Sequence, residues 1–566
     1  MPGPGQPRNR CSSAGLRRAR DERWRGCPCG RVSRMRGARQ GALGCGNRSL
    51  HHDRLLEGHH QCGESGPTGG LMHILGTHAH PAATTAVAVP STSEPGGSRS
   101  SKAAALVVIA IAGFFVATDI TITNVALPSI GTELGASTSA LQWVMDAYNI
   151  ALAGLLLLGG ALGERFGRKL VFLSGLSAFG IGSLLAGLSP NIGTLIGARV
   201  VMGIGAAMLL TPALSLISGL FAPAERAKAI GAWATAGAAG LAAGPILGGT
   251  LIQFLDWHWI FLVNVPFMAV VVLVGIRTIP DVRGNAQEKL DIPGAVLSVI
   301  GFTMLLGAII EAPRYGWTNP VVLAVGAVGL LVLALFALWE MHTPSPMFHF
   351  DVLRYPAVAG AALALFVTYV SFTGTLFLVP QHLDAIERLD ALSVGLALIP
   401  FALVFWVTSR LSPKLAKLWG TARALDVGLL FMLSGFLILA ITSTQRSVGL
   451  VILATCVSGV GWGFSVPLGS VVILNALPEK LTGTASGTSM LSRFLGASFG
   501  VAILGTVLSS TFSGREQAVN GADSGSVQSA LAAAASEPAS QRESIESGIR
   551  SAFELAAAET YFAGAA

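Results

Sequence analysis

Thirteen apolar runs dominate the chain, each close to the roughly 20 residues that an α-helix needs to cross a bilayer. They fall at about 104–126, 141–160, 170–188, 194–216, 229–252, 259–277, 294–312, 320–339, 358–380, 391–409, 425–442, 448–474 and 486–510. Lipid offers no hydrogen bonds to a backbone, so runs of this length cross as helices. Charged residues make up only 12% of the chain, against about 25% in a soluble domain. Mean hydropathy is +0.63. Many of the 69 glycines sit inside the apolar runs, as expected where helices pack closely in lipid. The fold class is therefore an all-α integral membrane protein, one helical body rather than several soluble domains.

Loop charges orient that body. With a cytoplasmic N-terminus, the six inner loops hold fourteen Lys and Arg, and the six short outer loops hold three (Arg314, Arg388, Arg446). This asymmetry gives the multi-pass protein a cytoplasmic N-terminus; the expected location is the inner (plasma) membrane. Residues 1–103 are a basic tail of disordered composition, rich in Arg, Gly, Pro and Ser. Residues 1–100 carry a net +8 of the chain's +7, leaving −1 for the rest. The tail holds Cys11, Cys27, Cys29, Cys45 and Cys62, but Cys27-Pro28-Cys29 has no second pair at zinc-finger spacing, so no metal site is expected. No nucleic-acid partner is expected either. Translation is expected to start at Met72 or nearby, so that residues 1–71 are not made.

At the other end, 511–549 is polar and reads as an extracytoplasmic loop. The sixteen residues 551–566 include Glu554 and Glu559 and are short for a span, so the last helix is expected to be incomplete.

Three stretches could carry chemistry. Asp119 lies inside the first span, where an acid costs about 2.5–3.5 kcal/mol on insertion scales and normally serves a function. It could exchange a proton, or it could be a structural acid bonded to Thr118 or Thr121. Arg199 is the cation deep in the fourth span. It could hold a nearby carboxylate ionised, or be satisfied by carbonyls alone. Asp146, in the second span, either adds a further acid to a cavity or sits at the water interface. The loop Gly160-Ala161-Leu162-Gly163-Glu164-Arg165-Phe166-Gly167-Arg168-Lys169 is a basic hairpin between spans two and three. Gly240, Gly244 and Gly248, followed by Gly249, give the fifth span a smooth face, and Pro245 bends it.

These stretches resemble the major facilitator superfamily. The hairpin is similar to its signature between spans two and three, with Glu164 where Asp is usual. Thr118–Pro128 resembles the first-span signature of the fourteen-span drug:proton antiporters. Gly197–Gly205 resembles the fourth-span signature, with Met202 in place of Gln. Gly240–Gly249 resembles the signature of the exporters in this superfamily. Further likenesses lie at Trp257–Pro266, Leu290–Gly294, Gln381 and Gly483–Gly487 with Arg493.

The resemblance implies two pseudo-symmetric six-helix bundles, 104–277 and 346–566, with two additional central spans in 278–345. It implies a proton-coupled secondary efflux transporter that exports hydrophobic or cationic drugs by alternating access. Asp119, Arg199 and Asp146 would then couple proton to substrate, and Gly160, Gly163, Glu164, Arg165, Gly167, Arg168 and Lys169 would form a cytoplasmic gate. Gly240, Gly244, Pro245, Gly248 and Gly249 would be the antiporter helix motif. Its partners would be small-molecule substrates and protons, with an accessory periplasmic or membrane protein conceivable. A proton-coupled importer of a small metabolite on the same fold, or a non-transporting membrane receptor, is the alternative. No phosphate-binding G-x-x-x-x-G-K-[ST] motif, nucleophile–base pair or cofactor motif points to an enzyme.

Overall fold

A computed structural model describes residues 99–281, 290–478, 481–520 and 525–565. The tail to residue 98, with its cysteines and the expected start near Met72, lies outside the described residues. So do the loop cations Arg283, Lys289 and Lys480.

The first half is built from α1 (Arg99–Leu134), α2 (Thr138–Phe166), α3 (Arg168–Gly187), α4 (Ile192–Leu220) and α5 (Pro223–Phe254). Its sixth span is split into α6 (Trp259–Leu262) and α7 (Asn264–Thr278). The extra pair follows as α8 (Ile292–Tyr315) and α9 (Pro320–His342). The second half comprises α10 (Pro356–Ala385), α11 (Ala391–Ala397), α12 (Ile399–Trp419), α13 (Thr421–Thr442) and α14 (Val448–Ala476). It ends with α15 (Thr482–Asn520), α16 (Val527–Ala535) and α17 (Ala539–Ala565). Among the described residues, thirteen helical spans are long and apolar enough to cross a membrane, and they coincide with the thirteen apolar runs.

Local chemistry sets the breaks. Pro266 and Pro400 lack the N–H that would close the preceding turn, and the chain re-caps just before each, at Val263 and Leu398. Ser137, Asn191, Asp291 and Asn319 cap α2, α4, α8 and α9 through side-chain oxygens. Gly167 joins α2 to α3 at φ 104°, where a side chain would be strained.

The two halves repeat one packing pattern. In the first half α1 packs on α5, α2 on α4, α3 on α4 and α3 on α7. The second half repeats these pairings as α10 on α15, α12 on α14, α13 on α14 and α13 on α17. Helix α17 thus stands where α7 stands in the first half.

Helix α17 is not among the thirteen spans apolar enough to cross, but it is longer than the sixteen residues 551–566. The helix begins at Ala539, not near Ser551, and its 27 residues rise about 40 Å. The interval 511–549 is largely helical too, because α15 runs on to Asn520 and α16 and α17 follow. Its Ala, Glu, Gln and Arg are good helix formers, and polarity alone does not make a loop. Glu554 and Glu559, which would oppose insertion if left alone, are both paired: Arg446 Nε meets Glu554 Oε1 at 2.5 Å and Arg515 NH2 meets Glu559 Oε1 at 2.5 Å. Phe553 and Tyr561 are buried, Phe553 edge-on against Phe512 of α15 at 5.8 Å. If α17 is a packed sixth helix, Phe553→Ala should cost about 3 kcal/mol. Unfolding of the purified protein in detergent measures this, and a loss under about 0.5 kcal/mol, the usual scale of a surface change, would mean that α17 does not pack there.

Candidate functional site

Arg199, from the first third of α4, crosses to Asp119 in the middle of α1. Its NH1 lies 2.6 Å from Asp119 Oδ2, and both side chains are fully shielded from solvent. The guanidinium is held on three further sides. Nε donates to the Val144 carbonyl at 2.9 Å, the Tyr148 ring lies beneath it at 4.4 Å, and Met202 Sδ sits 3.9 Å from NH1. Yet the set is incompletely satisfied: Asp119 Oδ1, Arg199 NH2 and Tyr148 Oη are buried without partners. A buried ion pair with spare donors and acceptors is poised to accept a proton or to rearrange.

The hydroxyls beside Asp119 do other work. Thr118 Oγ1 donates to the Gly240 carbonyl at 3.2 Å and Thr121 Oγ1 to the Leu241 carbonyl at 3.1 Å. Leu241 is the residue whose carbonyl Pro245, four positions on, cannot engage. The bend in α5 is therefore stitched to α1. The glycines make that seam possible. A Cβ at Gly240 or Gly244 would run into Phe114 O or Thr121 Oγ1, and one at Gly248 would lie 2.9 Å from Ile122 Cγ1. Gly249 turns away from α1 and meets α11, where a Cβ would lie 2.5 Å from Ala391 O. In return Gly395 packs on the carbonyl of Pro245. The motif thus packs α5 on α1 and joins the two halves at the end away from the basic hairpin.

At the hairpin end, Arg168 grips Glu164 with two bonds, Nε to Oε1 at 2.8 Å and NH2 to Oε2 at 3.0 Å. Arg168 NH1 also reaches the Ser215 carbonyl of α4, and Lys169 Nζ the Ile276 carbonyl of α7. Gly160 and Gly163 lie against Thr211 and Pro212 of α4. Arg165 remains exposed, over the Phe166 ring. The hairpin residues are thus assembled within the first half. Between them and the start of α15 is a cavity of about 370 Å³ bordered by Arg168, Thr211, Ser215, Ser486 and Met490. The halves are parted here and closed at the opposite end, where Gln142 Nε2 bonds Val501 O and Ala502 O at 3.0 and 2.9 Å.

A cavity of about 240 Å³ lies deeper between the halves, walled by α1, α2, α4, α5, α10 and α15. Trp233, Tyr369, Phe372 and Phe494 give it aromatic faces, and Asn149 and Arg493 give it polar groups.

The family model described as Major Facilitator Superfamily matches residues 109–501. The multidrug efflux pump LfrA of Mycolicibacterium smegmatis is 31% identical over 464 residues, 81% of this chain and 92% of that protein. The puromycin resistance protein pur8 of Streptomyces alboniger is 34% identical over 410 residues, 71% of this chain and 81% of that one. The chain belongs to the major facilitator superfamily, among its drug:proton antiporters. In fold it is similar to a bacterial homologue of the human lysosomal transporter Spinster, crystallised inward-facing and unoccupied, with a TM-score of 0.60 at 15% identity over 82% of this chain and 95% of that one. It is a multi-pass membrane transporter that acts on small molecules.

Within this superfamily member, the sequence-derived residues sort into three groups. Asp119 and Arg199 come together. The glycine motif comes to within one helix layer of them through Thr118 and Thr121, and the hairpin stands apart at one end. Asp146 is fully buried in α2 and neither of its oxygens makes a hydrogen bond of good geometry; Asn149, three residues on, is the polar group beside it. His258 sits at a helix start, stacked on Trp257 and 3.1 Å from Asp256. Tyr148 and Trp233 were not expected. Tyr148 lies one helical turn after Val144 on the face of α2 that meets Arg199, and an aromatic residue in an apolar helix gives no signal of that. Because Arg199→Met strands the Asp119 carboxylate, it should cost about 3–5 kcal/mol, and adding Asp119→Asn should recover much of that loss. Thermal unfolding of the two variants side by side checks it; a double variant no more stable than Arg199→Met would mean that the two side chains do not compensate one another.

Proposed function

We propose that this transporter exports hydrophobic or cationic drug-like compounds in exchange for protons, with Asp119 as the proton site and Arg199 as its counter-charge. The observation that carries the reading is the buried, incompletely satisfied Asp119–Arg199 pair joining α1 to α4, beside the seam that joins α1 to α5. A proton on Asp119 removes the charge that holds Arg199, so α1 is less firmly tied to α4. Loss of the proton restores the tie. Because α1 is also packed on α5, and α5 touches α11 of the other half, a change at Asp119 reaches the contact between the halves. Alternating access then follows as rocking of one half on the other around the central cavity. Asp146, buried on α2, is the second acid in this reading, and the Glu164–Arg168 hairpin closes the end that is parted here.

The loop charges support an orientation in which the hairpin end faces the cytoplasm, and the relatives that are bacterial efflux and resistance proteins support the inner (plasma) membrane as its location. The relatives named as efflux and resistance proteins support export over import, as does the glycine motif that resembles the exporters'. The importer and receptor readings each predict a different outcome in everted membrane vesicles energised to acidify their lumen. Exporter activity appears there as uptake of a fluorescent lipophilic cation such as ethidium that collapses when a protonophore is added. Asp119→Asn should abolish that uptake while the protein remains inserted and folded. Uptake by the variant at the wild-type rate would remove Asp119 from the coupling site, and absence of proton-driven uptake across a panel of drugs would contradict export itself.

A further inference from the structure

The extra pair α8–α9 encloses a second cavity, far from Asp119 in the fold. It measures about 500 Å³ and lies between α8, α9 and the connector that follows α9 on one side, and α2, α10 and α15 on the other. Five phenylalanines line it: Phe302, Phe336, Phe348, Phe350 and Phe366. Two of the rings meet edge to face, Phe348 and Phe350, 4.9 Å apart. Among these walls there is one charged side chain, Glu340, and no Lys or Arg.

Glu340 is only 3% exposed. Its Oε2 accepts the Phe348 backbone N–H at 3.1 Å, which anchors the connector, but Oε1 has no partner. Asp291, the cap of α8, stands beside it. Asp291 Oδ1 accepts from Trp339 Nε1 at 2.8 Å and from the Gly294 N–H at 2.9 Å, whereas Oδ2 is unpartnered. Both free oxygens gather at one point: a Cβ on Gly294 would lie 2.7 Å from Asp291 Oδ2 and 2.9 Å from Glu340 Oε1. Two acids are thus brought to the edge of an aromatic cavity with no cation among its walls. An isolated carboxylate in such surroundings is costly, and a cation that enters both pairs with it and rests on the ring faces. The mouth of the cavity passes Leu363, 62% exposed on α10, and Leu353, 37% exposed on the connector. It sits at the hairpin end of the bundle, where α8 begins and α9 ends, so apolar molecules dissolved in the adjoining leaflet can reach it.

We propose that this cavity is a second binding site, for lipophilic cations, with Glu340 as the counter-charge. It is separate from the Asp119–Arg199 site. The extra helix pair would then serve to collect cationic amphiphiles from the membrane beside the cleft between the halves.

Equilibrium binding of radiolabelled tetraphenylphosphonium to the purified full-length protein in lipid nanodiscs tests this. Radiolabelled tetraphenylborate, similar in size and opposite in charge, is measured in a separate sample, because the two ions pair when mixed. The wild type should bind the phosphonium and not the borate, and Glu340→Gln should weaken phosphonium binding by about tenfold or more, a loss of about 1.4 kcal/mol. Glu340→Asp should restore part of the affinity. Because Glu340 also anchors the connector, a second variant, Phe302→Trp, reduces the cavity without touching the acid and should weaken binding too. Wild-type phosphonium affinity in either folded variant, or equal binding of the borate to the wild type, would overturn the site. Binding is read here without transport, so such a failure leaves proton-driven export in the vesicle assay unaffected, and a failure of export leaves this measurement standing.

Discussion

An arginine that cannot shed its charge is buried in α4, and the molecule has to answer it. Asp119 supplies the countercharge, Val144 a carbonyl, Tyr148 a ring face and Met202 a soft sulfur. Removing any one leaves charge or donors unmet where water cannot replace them, so the positions of α1, α2 and α4 depend on one another. That dependence lets a single proton have a mechanical consequence. On the proposed reading, a neutral Asp119 would no longer answer Arg199, and α1 would be less firmly tied to α4, while Arg199 keeps its bond to Val144 of α2.

The second element is steric. Between α1 and α5 the backbones come close enough that Gly240 and Gly244 have no room for a methyl group, and the carbonyl freed by Pro245 is taken up by Thr121. The seam is therefore both tight and hydrogen-bonded, while its far side, at Gly249 and Pro245, bears on α11 of the other half. A tight seam on one face and an inter-half contact on the other make α5 a lever between the buried charge and the closed end of the cleft. The parted end, with Arg168 and Ser215 on one wall and Ser486 and Met490 on the other, is what an inward-open state needs.

Much of this was legible in the sequence because lipid imposes simple rules. Span number and position follow from run length, and the charge in Asp119 and Arg199 stands out against apolar neighbours. That these two meet was not legible: they lie 80 residues apart and nothing local joins them. Thr118 and Thr121, candidate partners for Asp119, bond α5 instead, because Pro245 leaves a carbonyl there that needs a donor. The length and packing of the C-terminal helix were not legible for a related reason. Counting apolar residues from Ser551 discounts a helix whose polar first half begins at Ala539, and whose acids are neutralised by Arg446 and Arg515 on other segments. Ion pairs between distant segments change what a helix can tolerate, and a hydropathy window does not see them. Likewise Glu340 and Asp291 are ordinary as letters; only the fold gathers their free oxygens at Gly294.

The coupling of Asp119 to substrate can be read without a membrane gradient. In weakly buffered detergent solution, adding a transported drug to the purified wild-type protein should release protons, detected by a pH-indicator dye. Asp119→Asn, folded to the same extent, should bind the drug and release none. Release of the same amount by both proteins would place the coupled proton elsewhere and contradict the central role of the Asp119–Arg199 pair.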